Sequence, residues 1–135
     1  GVSAYFELSL HSKGPRVTAI KQQWISVLRD LKRMHQNTGK PVALTEIGYP
    51  SQTSAAKRPW DETARNPIDL KLQADLYEGF CLAMQQEPAL VQEFFFWNWF
   101  GWGGRNDGSY TPRNKPAARV MAECLRIFPP NEVRK

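Results

Sequence analysis

Glu46 is a single carboxylate in the run Val42-Ala43-Leu44-Thr45-Glu46-Ile47, bounded by Gly39-Lys40-Pro41 before and Gly48-Tyr49-Pro50 after. The run is short, mostly apolar and β-branched. It predicts a strand with Glu46 near its C-terminal end. A carboxylate there is costly to bury without partners. Two readings stand: a catalytic group at the mouth of a parallel sheet, or a charge that leaves the sheet into solvent. Aromatic residues recur near it in the predicted order. Tyr5 shares one side of the first predicted strand with Glu7 by the period of two. Trp60 sits in a long loop, where it either stacks on a ligand or holds the loop down. Trp97, Trp99 and Trp102 approach a Gly-rich loop, which weakens a purely core role for them. Phe94, Phe95 and Phe96 read as core.

The elements that would carry these residues alternate along the chain. A strand over Val2 to Leu8 is followed by a polar connection, Ser9 to Val17. A helix over about Thr18 to Asn37 follows, with Ile20, Trp24, Val27, Leu28, Leu31 and Met34 on one face. Trp24 reads as core packing, and Gly39 closes the helix. After the Glu46 strand comes the loop Tyr49 to Pro67. Long unstructured loops in compact domains are usually functional. A second helix, Asp69 to Glu87, is capped by Asp69 and stopped by Pro88. Its buried stripe is Leu70, Ala74, Tyr77, Cys81 and Met84, with Phe80 alongside. A third strand runs from Val91 to about Trp99. Its three consecutive Phe residues call for apolar cover on both faces. The loop Phe100 to Lys115 leads to a last helix from Pro116, with Ala117, Val120, Met121, Cys124 and Leu125 inward. Pro129-Pro130 ends it. The fold class is therefore α/β: βαβαβα, with parallel strands and right-handed crossovers.

With 135 residues the chain is one domain's worth, enough for a sizeable core. At 41% hydrophobic and 12% aromatic it is no disordered segment. No apolar run is long enough to span a bilayer. No leader opens the chain, and location stays open. The net charge of +5 includes a basic stretch at Arg29, Lys32, Arg33 and Lys40. Without a phosphate loop or nucleic-acid motif this reads as a solvated helix face, not a nucleic-acid site. Cys81 and Cys124, far apart in sequence, read as buried free thiols rather than a disulfide framework. Neither a metal nor another cofactor is called for.

Four stretches resemble one family in its own order. Lys40 to Tyr49 resembles the seventh strand of retaining glycoside hydrolases of the TIM-barrel clan A, and is most similar to glycoside hydrolase family 113, the β-mannanase-like group. Ala4-Tyr5-Phe6 resembles that family's sixth strand, and Phe95-Phe96-Trp97-Asn98-Trp99 its eighth. Tyr110 to Ala117 resembles the lead into its last helix. The resemblance implies that residues 1–128 are the C-terminal three βα units of a TIM (β/α)8 barrel, with 129–135 a loose charged tail. It implies that Glu46 is the catalytic nucleophile and that Tyr5 reaches it. Trp97 would lie beneath the sugar at the cleavage point, with Trp99 as the alternative. Trp60 and Trp102 would be outer sugar platforms.

The same resemblance exposes a departure. The clan's acid/base glutamate ends the fourth strand, usually after asparagine. Here the sequence opens at what resembles the sixth, and its one Asn-Glu pair, Asn131-Glu132, lies in the tail. Glu7 shares a side with Tyr5 but shows no pattern of a proton donor. The expectation is part of a retaining glycosidase acting on a β-linked polysaccharide such as β-mannan, inactive alone, and either self-associating or paired with the missing N-terminal barrel units. The alternative from another class is a non-catalytic sugar-binding or assembly module that keeps the aromatic floor. A third is an α/β domain with no sugar role.

Overall fold

Strand and helix alternate three times, in the order β1 (Val2–Ser3), α1 (Arg16–Thr38), β2 (Val42–Ile47), α2 (Leu70–Met84), β3 (Val91–Phe96) and α3 (Pro116–Ile127). This computed structural model describes residues 1–10 and 14–128. The expected tail over 129–135, with Pro129-Pro130 and Asn131-Glu132, lies outside the described residues. The strands form one parallel sheet in the order β1-β2-β3. The helices cover one face of it, and α2 packs between α1 and α3. Among the described residues no helix is long and apolar enough to cross a membrane.

Local chemistry accounts for most of the boundaries. Gly39 takes the left-handed conformation at φ 64° and donates its N–H to His35 O, closing α1. The Asp69 carboxylate accepts from Leu72 N at 2.7 Å and caps α2. Pro116 occupies the first turn of α3, where its missing N–H costs nothing. Helix α1 starts at Arg16, two residues before the expected Thr18. Arg16 Nε donates to the buried Asp75 of α2 at 2.7 Å, which binds the first turn to the neighbouring helix. Helix α2 ends at Met84, three residues before the expected Glu87, and turns carry the chain on to Pro88.

The core lies between the sheet and the helices. Ile20, Trp24, Leu28 and Leu31 of α1 are buried. Trp24 meets Phe80 edge-on at 4.9 Å and Phe6 at 5.6 Å. Its Nε1 donates to the Tyr49 hydroxyl at 3.1 Å, so it packs and also satisfies a buried polar group. A side chain at Gly79 would collide with Ile20, so only glycine lets α1 and α2 approach this closely. Met34 and Leu125, expected inward, are exposed, at 41% and 47%. Cys81 and Cys124 are not free thiols. They form a disulfide between α2 and α3, with Cα atoms 5.7 Å apart. Their 43-residue separation is closed by the crossover that places α3 beside α2.

The strands depart from expectation in two ways. The first is short. Only Val2–Ser3 is strand, although burial still alternates through Leu8, with Ala4 and Leu8 inward and Glu7 outward. Ala4 N donates to Glu46 O, and Leu8 N then donates to Ala56 O, so the chain leaves β2 for the following loop. The third strand stops at Phe96, and only one of its faces is covered. Phe94 and Phe96 pack edge-on against Phe80. Phe95 points the other way and is 55% exposed.

Candidate functional site

The placement of Glu46 is decided by backbone pairing. Val42 and Leu44 are buried against the helices. Strict alternation would send Glu46 to the same side. The registers prevent it. Leu44 pairs with Phe94 and Ile47 with Phe96, so Thr45 and Glu46 together oppose Phe95. On the other flank Val2 pairs with Leu44 and Ser3 with Glu46, again one residue against two. This is a β-bulge, which inserts one residue and re-aims the side chains that follow. Glu46 thereby shares the open face of the sheet with Ser3 and Phe95, while Ile47 returns to the core.

Tyr5 stands against the Glu46 carboxylate. Burial, and then the hydrogen bond to Glu46 and its negative charge, push the phenol well above its ordinary value of 10.0. A phenol so raised stays protonated at any ordinary pH, with its proton available to the neighbouring carboxylate. On its other side the Tyr5 ring meets the edge of Tyr110 at 6.3 Å and an interplanar angle of 82°. Tyr110 donates its hydroxyl to Pro59 O at 2.6 Å, and burial pushes it up to about 12.

Trp97 flanks Glu46 from β3. Its N–H donates to Ile47 O at 2.7 Å, one residue past the carboxylate, and its side chain is 43% exposed. The Trp97–Asn98 peptide is cis. Gly48 makes this approach possible: a side chain there would collide with the Trp97 carbonyl and the Tyr110 ring. Glu46 and Tyr5 are neighbours, and Trp97 follows β3 beside them, at the C-terminal ends of three adjacent strands. Trp99, Trp60 and Trp102 are exposed on the surrounding loops. Trp60 is half exposed in the middle of its loop. The neck of that loop is closed by the Gln52–Ile68 bridge and by Thr53 N donating to Pro67 O.

Beside this mouth lies a cleft of about 420 Å³ between the loop after β2 and the loop after β3. Pro50, Gln52, Glu62 and Arg65 wall one side, and Asn98, Phe100, Asp107 and Tyr110 the other. Cross-ties fix its width. Gln52 Nε2 donates to Gly108 O at 3.0 Å, and the buried Gln73 amide donates to both Tyr49 O and Tyr110 O. Gln52, Gln73 and Ser51 escaped the sequence reading, since nothing in their spacing marks loop ties that cross more than 20 residues. Among the described residues no group of three or more His, Cys, Asp or Glu could hold a metal.

Three parallel βα units, with a carboxylate and aromatics at the C-terminal strand ends, are the arrangement of a segment of a (β/α) barrel. Residues 1–106 match the Glycoside Hydrolase Family 113 model, and the chain belongs to that family. Solved structures agree on the fold. A family 113 β-1,4-mannanase superposes with TM-score 0.72 at 21% identity over 92% of this chain. The β-mannanase of Alicyclobacillus acidocaldarius in complex with ManMIm superposes with TM-score 0.69 at 27% identity over 82%. In each case the chain spans 37% of the other protein's length. It is a partial TIM barrel. No curated protein matches.

Proposed function

We propose that this chain is part of a retaining glycoside hydrolase acting on β-mannan, and that Glu46 is its nucleophile. The observation that carries the proposal is the bulge at Thr45-Glu46, which turns the carboxylate onto the open face, against Tyr5 and beside Trp97. The family and the mannanases it resembles support the substrate class. Glu46 attacks the anomeric carbon while a second carboxylic acid protonates the leaving oxygen. Water then displaces the enzyme from the glycosyl ester, with that second group acting as base. Tyr5 holds the attacking carboxylate by a hydrogen bond. Trp97 covers the apolar face of the sugar at the cleavage point, with Trp99 in reserve. Trp60 and Trp102, exposed on the outer loops, form the more distant platforms.

In a retaining enzyme the two carboxyl groups stand about 5–5.5 Å apart. Glu7 is exposed on the segment after β1 that carries Tyr5. We assign the acid/base to barrel units outside these 135 residues. The 135-residue chain alone is therefore expected to leave β-mannan intact. Adding a polypeptide that carries the remaining units is expected to restore hydrolysis, and Glu46→Gln to abolish it by about 10³-fold or more. An active assembly indifferent to Glu46→Gln would contradict the assignment. Glycan binding that never gains hydrolysis would favour the sugar-binding module instead.

A further inference from the structure

Lys115 precedes α3, and its side chain is wholly buried. Its three ammonium protons find three acceptors: Ser51 Oγ at 2.9 Å, Ser109 O at 3.0 Å and Asp107 Oδ1 at 3.2 Å. The acceptors come from both loops that wall the cleft. Ser51 follows β2, and Asp107 and Ser109 follow β3. Ser51 Oγ donates in turn to Asp107 O at 2.6 Å, and Ser51 N donates to Ser109 O. We propose that Lys115 is a positioning residue, whose buried ammonium holds the two walls of the cleft in fixed register for the glycan. The glycan part rests on the mannanase reading; the holding of the walls does not.

Burying an ammonium costs free energy that partners must return. Here the return is incomplete. Burial pulls Lys115 below its ordinary 10.5, and the opposing pull of Asp107 does not cancel it. Stability alone would be served as well by an apolar side chain of similar length. Nor does Asp107 depend on Lys115. It accepts from Ser109 N at 2.7 Å and keeps 29% of its side chain exposed. The ammonium bonds both loops at one point, in addition to the Gln52 tie and the buried Gln73 amide, and it is the one charged donor among these ties. Those loops place Pro50 and Gln52 on one wall and Asp107, Gly108 and Tyr110 on the other. Lys115 touches neither Glu46 nor the cleft's opening, so it acts through the walls.

The test is Lys115→Met, read in the 135-residue chain by amide exchange and in the assembly with the remaining units by kinetics. The Ser51 and Tyr110 amides are expected to exchange about tenfold faster, while the helix amides and the melting temperature change little. For a β-manno-oligosaccharide, KM is expected to rise about tenfold with kcat within about threefold, the mark of lost binding away from the reacting bond. Lys115→Gln, which keeps a polar head and leaves the Ser51 ties in place but removes the charge and the third donor, is expected to give faster local exchange in the same direction, and it decides the matter if Lys115→Met does not fold. Unchanged exchange at Ser51 would overturn the proposal. So would an even loss of protection across the chain with a collapsed melting temperature. If the unsubstituted assembly cleaves no mannan, the glycosidase reading fails, while the exchange result still decides the role of Lys115.

Discussion

At Glu46 the strand changes the side to which it points, and the chemistry depends on that change. A carboxylate pointing with Val42 and Leu44 would lie among helix-packed apolar groups, where its charge is costly. The bulge moves it to the open face and gives it the Tyr5 phenol as a donor. Tyr5→Phe in the assembled enzyme is expected to lower kcat by about 10–100-fold, since the attacking carboxylate loses a fixed partner. A near-normal kcat would remove Tyr5 from the site. The burial of Tyr5, with Glu46 adding to it, sets a pH dependence. Because the folded-state phenol lies above its unfolded value of 10.0, the native chain holds more protons than the unfolded one above that pH. That contribution is present below pH 10 and is lost as the pH rises beyond it. Denaturant unfolding at pH 9 and 11 is expected to show a smaller stability loss in Tyr5→Phe than in the unsubstituted chain. Equal losses would mean that Tyr5 is not held protonated in the folded chain.

At the scale of elements the disulfide gives the clearest expectation. Cys81–Cys124 closes a loop of 43 residues between α2 and α3. Reducing it, or replacing both cysteines by Ser, is expected to cost about 2–4 kcal/mol in unfolding experiments. Stability indifferent to reductant would show that the pair does not brace these helices. This bond also marks where sequence reading stops. The bounds of β2, the Asp69 cap, the Gly39 stop and the Pro116 start were legible, because each follows from the residue's own backbone preference. Cys81 and Cys124 were legible as buried but not as paired, since pairing depends on how two crossovers pack. Likewise Glu46 was legible as a strand-end carboxylate, but its face was not. The bulge arises from the offsets of both neighbouring strands, which no local pattern records. Phe95 misled for the opposite reason: its apolar character suggested cover that these three units do not supply.

At the scale of the whole molecule, the sheet has a covered face and an open one. Strands β1 and β3 are its two edges, and Ser3, Thr45, Phe95 and Trp97 stand on or beside the open face. Exposed edges and apolar patches favour association, and a barrel removes both by closing. Light scattering after size exclusion is expected to find the 135-residue chain self-associated, and to find a one-to-one complex when the remaining units are added. A stable monomer in both conditions would contradict this. In such an assembly Glu46 would face the barrel mouth, and the account stands or falls on what it does there. The most direct measurement is trapping with a mechanism-based 2-fluoro-β-mannosyl reagent, followed by peptide mapping. The account expects one label, on the peptide that carries Glu46, with loss of mannan hydrolysis in proportion. An active assembly labelled on any other residue would contradict it.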